Sequence, residues 1–274
     1  EILVGSFDRP NLVYRVRRRT ELKRQLLAAL ARHRGAAGIL YCLRRRDVEE
    51  LAEFLRGEGV SALPYHAGLT DTTRAHNQEA FAEERADVIV ATVAFGMGID
   101  RSNVRYVMHA GAPRSLEHYQ QEAGRAGRDG LEAECLLWYS TADFLLWRRL
   151  LATSGELRDE SLVQLRQMER YAQTTGCRHR SLCEHFGETF PSAGCGACDR
   201  CLGELVAAAE PRVIGQKILS CVLRVGESFG AGHVTDVLRG RATDKVNERG
   251  HQRLSTFGLL KDSPPDEVRG YIEQ

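Results

Sequence analysis

Little in this chain speaks for a membrane, an export route or a single dominant charge. Aromatic residues make up 7% of its 274 positions, with only two tryptophans. No run approaches the ~18 consecutive apolar residues of a spanning helix, and the N-terminus lacks the apolar core of a secretory signal. No internal repeat or low-complexity segment is present. Net charge is nearly absent: 38 Lys+Arg against 37 Asp+Glu leave +1. An anionic ligand must therefore be met by local clusters. One such bias lies between Arg9 and Arg24, with seven basic residues and one acid, Glu21. What remains, 43% hydrophobic and 27% charged residues, suits a globular protein and not a disordered chain or a fibre. The length suits about two domains. Glu1 in place of Met predicts a fragment.

From Asn11 to Tyr139 short apolar runs alternate with helical patterns. Strands are expected at Leu12–Val16, Gly38–Cys42, Ala62–Tyr65, Asp87–Ala91, Val104–His109 and Ala133–Tyr139. Helices are expected where Leu22, Leu26 and Leu30 share a face, where Val48, Leu51, Ala52 and Leu55 do, and near Asp71–Ala82 and Ser115–Ala126. Such alternation implies crossover connections and a mostly parallel α/β sheet, with ligand loops at the carboxyl ends of its strands. Beyond Tyr139 the strand signal stops. Leu162, Leu165, Met168 and Ala172 stripe a charged helix, and Pro211 opens a further helical region at a favourable first-turn position.

Cys42, Cys135 and Cys221 sit singly in apolar runs and read as core. The other five cysteines fall within 25 positions, Cys177 to Cys201. Cys195-x-x-Cys198-x-x-Cys201 lets tight turns aim three sulfurs at one point, as tetrahedral zinc requires, and Cys177 is the natural fourth ligand. Cys183 competes for that place, but helical spacing sets it beside Leu182 and Phe186. His179 and His185 are further possible ligands, but lone histidines beside a cysteine set are expected to face solvent. The rival reading of the cluster is free or disulfide-bonded thiols.

Two stretches of the α/β region carry further chemistry. Thr92, Gly96, Gly98 and Asp100 follow the Asp87–Ala91 strand, where a hydroxyl and glycines allow close approach to a phosphate and Asp100 could accept from a ribose. In Gln121-Glu122-Ala123-Gly124-Arg125-Ala126-Gly127-Arg128, Gln121, Arg125 and Arg128 are expected on one helix face, where two guanidiniums suit a triphosphate. The plainer reading is a solvated face with ion pairs such as Arg125 with Glu122.

Together these residues resemble a known family. Tyr41-Cys42, Tyr65-His66-Ala67-Gly68-Leu69, Ala91–Asp100 and Tyr119–Gly130 are similar to the later helicase motifs of the RecQ family, and Ser6-Phe7-Asp8-Arg9-Pro10-Asn11 to the lead-in of its second RecA-like lobe. Cys177, Cys195, Cys198 and Cys201 resemble its zinc module. Phe229–His233, Arg249–His251 and Leu254–Gly258 resemble its winged-helix domain. The resemblance implies an ATP- and Mg²⁺-dependent DNA helicase moving 3′ to 5′ on single strands in recombination and repair. Its partners would be single-stranded and partially duplex DNA and ATP, in the bacterial cytoplasm or a nucleus. It implies that Arg125 and Arg128 reach ATP, that Gln121 couples nucleotide state to lobe closure, that Gly98 is among the cofactor-binding residues, and that Asp100 sits near the ribose or its contacts. Thr92, His66 and the basic Arg44, Arg45 and Arg46 would line the single-strand path, with Arg249 among the DNA contacts of the winged helix. One structural Zn²⁺ would sit on the four cysteines.

The expected architecture is a RecA-like lobe (1–150), a helical four-cysteine zinc module (151–208) and an incomplete winged-helix domain (209–274). No G-x-x-x-x-G-K-[S/T] loop or DExH-type box occurs in these residues. Both belong to the family's first lobe, expected upstream of Glu1, so turnover of ATP by this chain alone is not expected. Leu43-Arg44 stands where the family has a polar residue after Cys42. The alternatives are the second lobe of an RNA helicase or remodeller, and a non-enzymatic zinc/winged-helix DNA-binding module.

Overall fold

The computed structural model describes residues 6–95, 101–156, 158–205 and 208–273. In chain order they form β1 (Leu12–Arg18), α1 (Leu22–Leu30), β2 (Ala37–Tyr41), α2 (Arg45–Gly57), β3 (Ala62–Tyr65), α3 (Asp71–Ala82), β4 (Val88–Ala91) and β5 (Val104–His109). There follow α4 (Leu116–Ala123), β6 (Ala133–Tyr139), α5 (Thr141–Ser154), α6 (Asp159–Gln173), α7 (Arg178–His185), α8 (Pro211–Arg224), α9 (Ala231–Leu238), α10 (Asp244–Glu248) and α11 (Pro265–Glu273). The chain divides into two compact units at residue 205.

The first unit is built on a six-stranded sheet in the order β1-β6-β5-β2-β4-β3, every pair parallel. Alternating side chains serve two cores, because successive residues of a strand point to opposite faces. Ile39 and Tyr41 join Phe81 of α3, Leu116 and Tyr119 of α4 and Met168 of α6 on one face. Leu40, between them, joins Leu26 of α1 and Val48, Leu51 and Leu55 of α2 on the other. This is why β2 and β4 read as continuous apolar runs.

β1 is an edge strand, and the cysteine segment completes it. The Tyr14 amide donates to the Ala197 carbonyl (3.1 Å) and the Asp199 amide to the Tyr14 carbonyl (2.9 Å), with Tyr14 opposite Cys198. Asp199, fully buried, accepts from the Val16 amide (2.9 Å), from Arg17 (3.0 Å) and from Arg178 of α7 (2.9 Å). The cysteine turns are therefore hydrogen-bonded into the same unit as the sheet.

One helix is shorter than the sequence pattern suggests. The helix expected over Ser115–Ala126 ends at Ala123. Arg125 and Ala126 donate to the carbonyls of Glu122 and Ala123, three residues back, tightening the last turn. Gly127 (φ +55°) then turns the chain away, its amide on the Val104 carbonyl at 2.9 Å. Gln121, Arg125 and Arg128 therefore do not share a helix face: the arginines ride on the turn after α4.

The second unit packs Ile218 and Cys221 of α8 against Val234, Val237 and Leu238 of α9, Val246 of α10 and Val268 of α11. Pro211 opens α8, where a missing N–H costs nothing.

Candidate functional site

Since all six strands run the same way, Tyr41, Tyr65, Ala91 and His109 end side by side on one rim. Ligands of parallel sheets bind outside such a rim. Here the Tyr41 hydroxyl donates to the Phe95 carbonyl (3.0 Å), and its ring stacks on His109 at 5.3 Å between centroids. His109 Nε2 lies 2.8 Å from Glu122 Oε2. Glu122, offered by the plainer reading as a partner of Arg125, is thus engaged by a buried histidine. Burial pushes the Tyr41 phenol up and Glu122 adds to this, while Arg125 and Arg128 pull it the other way. The Arg125 amide donates to the Glu122 carbonyl (3.2 Å), so the arginine turn begins beside this rim. Gln121 and Arg128 are exposed and Arg125 half-buried.

The arginine turn is shaped by Gly127. A Cβ there would meet Asn11 Nδ2 at 2.5 Å and the Leu131 carbonyl at 2.7 Å, and its positive φ is one that L-residues avoid. Asn11 Nδ2 donates to the carbonyls of Gly127 and Leu131, each at 2.9 Å. Arg9 donates to the carbonyls of Gly127 (3.0 Å), Ala126 (3.2 Å) and Gly124 (3.4 Å). Sequence reasoning assigned neither side chain a role here. Their partners lie more than a hundred residues away, and no local pattern marks them.

Of the residues expected on a single-strand path, Thr92 follows β4 on the rim and donates its amide to the Tyr65 carbonyl at 3.2 Å. His66 is buried, its Nε2 2.8 Å from Glu49 and its Nδ1 accepting from the Gly68 amide at 3.1 Å. Arg44, Arg45 and Arg46 are exposed at the start of α2, where Arg44 pairs with Asp47 (2.9 Å) and Arg46 with Glu50 (2.6 Å). Gly98 and Asp100 lie outside the described residues. In the second unit Arg249 sits 5.9 Å and Lys245 5.5 Å from the centre of the Phe229 ring, which stacks on His233.

The sulfurs of Cys177, Cys195, Cys198 and Cys201 all lie within 4.8 Å of one another. Tetrahedral zinc with Zn–S of about 2.3 Å sets sulfurs about 3.8 Å apart, so the four fit such an ion with little movement. The Ala197 amide donates to Cys195 Sγ (3.3 Å) and the Cys201 amide to Cys198 Sγ (3.5 Å), fixing two of them. Cys183 is buried apart from this group, as its spacing suggested. The expectation for His179 fails. It is buried, with Nδ1 2.6 Å from Asp8 and Nε2 2.9 Å from the Leu12 carbonyl, because α7 packs its ring against the lead-in to β1. His185 is largely buried as well, its Nε2 2.9 Å from Glu117.

Three family models match in succession: the helicase conserved C-terminal domain over residues 20–130, RecQ zinc-binding over 141–202, and the RQC domain over 211–274. The chain is 41% identical over 273 residues to "ATP-dependent DNA helicase RecQ" of Haemophilus influenzae, covering 99% of this chain and 44% of that protein. It is also 41% identical over 270 residues to the protein of that name from Bacillus subtilis, covering 98% and 45%. An ATP-dependent DNA helicase of Schizosaccharomyces pombe is 34% identical over 267 residues, covering 94% and 20%. The chain thus spans less than half the length of these relatives. No described helix is long and apolar enough to cross a membrane.

Proposed function

This chain belongs to the RecQ family as its C-terminal region, and from that premise we propose that it supplies the second motor lobe, zinc module and duplex-binding part of an ATP-dependent DNA helicase. In the complete protein that helicase would move 3′ to 5′ and serve recombination and repair, in the bacterial cytoplasm or a nucleus. The observation that carries this reading is the arginine turn: two guanidiniums after α4, on a backbone held by hydrogen bonds, beside the ligand rim of a parallel sheet. Guanidiniums carried on a backbone so fixed need less ordering to meet charge developing on a transferred phosphoryl group. The chain has no phosphate loop, so ATP and Mg²⁺ are to be held mainly by the partner lobe.

In this reading Arg125 or Arg128 acts as the finger. Gln121 couples nucleotide state to lobe closure, Gly98 lets the backbone approach the nucleotide's phosphates, and Asp100 serves the ribose. Thr92, His66, Arg44, Arg45 and Arg46 border the single strand, and Arg249 meets duplex phosphates. Cys177, Cys195, Cys198 and Cys201 hold one structural Zn²⁺, which orders the turns that bond β1 through Ala197 and Asp199. The test is steady-state ATP hydrolysis by the complete protein with saturating single-stranded DNA. Arg125→Ala or Arg128→Ala should lower turnover by about 10³–10⁵ while nucleotide affinity changes little, and lysine at the true finger should not restore it. Near-normal turnover in both alanine variants would sink the assignment. Preference for RNA over DNA in a binding titration would favour a different translocase.

A further inference from the structure

We propose that Arg9 and Asn11, in the lead-in to β1, are positioning residues for phosphoryl transfer: they set the backbone of the turn that presents Arg125 and Arg128. The inference rests on the functional reading above.

The turn needs an external brace. α4 ends at Ala123, and Gly127, with its positive φ, is conformationally the freest residue type in the stretch that follows. Arg9 meets this stretch with three donations, to the carbonyls of Gly124, Ala126 and Gly127, so its fork spans the backbone on both sides of Arg125. Asn11 closes the loop from the other side by joining the carbonyls of Gly127 and Leu131, which bracket Arg128. The lead-in is itself anchored. The Asn11 carbonyl accepts from the Ala133 amide (3.0 Å), and Asp8, next to Arg9, lies 2.6 Å from His179 of α7. Phe7 stacks on Phe186 at 4.4 Å.

The choice of side chains fits the task. A guanidinium carries five donors in a planar fork and matches several carbonyls at once, whereas an ammonium is a single point of charge. No carboxylate is among the contacts Arg9 makes with the turn, so its job there is to fix backbone geometry. A displacement of about 1 Å at a transferring group can cost about 10² in rate. Losing the brace should therefore act on turnover more than on nucleotide binding.

The experiment uses the complete protein and compares Arg9→Ala, Arg9→Lys and Asn11→Ala with Arg125→Ala, Arg128→Ala and the corresponding double variants. Arg9→Ala is expected to lower kcat for DNA-stimulated ATP hydrolysis by about 10²-fold with KM for ATP nearly unchanged. Arg9→Lys should recover little. Adding Arg9→Ala to a variant already lacking the finger should cost almost nothing further, because both act through one group. Should Arg9→Ala fail to fold, Asn11→Ala carries the same comparison with a smaller lesion. A folded Arg9→Ala or Asn11→Ala with unchanged kcat, beside a damaged finger variant, would overturn the positioning role and leave the functional reading intact. Full recovery by Arg9→Lys, or losses that simply multiply in the double variants, would also overturn it. Normal turnover in both finger variants would instead remove the functional reading itself.

Discussion

Gly127 shows how a single absent methyl can decide a loop. Alanine there pays twice: for a left-handed backbone, and for a Cβ set 2.5 Å from Asn11 Nδ2 and 2.7 Å from a Leu131 carbonyl that cannot swing aside. Gly130, three residues on, also has a positive φ (+81°), but nothing lies within 4 Å of the Cβ it lacks. Gly130→Ala should cost about 1 kcal/mol of stability, the backbone term alone, and Gly127→Ala about 3 kcal/mol or more. Urea unfolding of the two variants reads this directly. Equal losses would mean that the contacts with Asn11 and Leu131 contribute nothing.

At the scale of elements, the zinc module is tied to the sheet through alternate amides of β1. Tyr14 and Val16 donate outward to Ala197 and Asp199, while residues between them face β6. Cys198→Ser should lose the metal and make residues 177–201 protease-sensitive. In hydrogen exchange, the Tyr14 and Val16 amides should lose protection while those of Val13 and Arg15 keep it. Uniform loss along β1 would show that the sheet itself depends on the metal. Much of this level was legible in the sequence. Val104–His109 and Ala133–Tyr139 are strands because mostly apolar runs, broken only by Arg105 and Glu134 before their last residues, have two faces to bury. Asp71–Ala82 begins where Thr70 accepts the Thr73 amide. Three of the four clustered cysteines were equally plain, since two-residue spacers bring Cys195, Cys198 and Cys201 together, whereas the fourth place was contested between Cys177 and Cys183. The end of α4 was not: Ala126 is fully buried and prolongs the apolar periodicity of Leu116, Tyr119 and Ala123 after the chain has left the helix. Nor was the burial of His179, whose partner Asp8 is 171 residues distant.

For the molecule as a whole, a net charge of +1 offers no general attraction to nucleic acid, so binding must rest on clusters. Arg44 and Arg46 are held by solvent-exposed pairs with Asp47 and Glu50, and such pairs contribute about 0–1 kcal/mol. Phosphates can therefore replace these carboxylates readily. Binding to single strands should weaken steeply with salt, and replacing Arg44, Arg45 and Arg46 with alanine should flatten the log–log slope by about 2, at about 0.7 per lost contact. Arg249→Ala should do the same for duplex DNA by about 1. An unchanged slope would return these arginines to the role of surface solvation. The two margins of the sheet, β3 and β1, are guarded differently. At β3 the margin carries Pro64, a residue with no amide to offer an incoming strand. At β1, among the described residues, the cover is the turn around Cys198 together with His179 of α7 on the Leu12 carbonyl. Stripped of its metal, that margin becomes a template for a strand from another molecule. Chelated protein should self-associate in a concentration-dependent way, visible by light scattering, and a proline in place of Tyr14 should slow that growth.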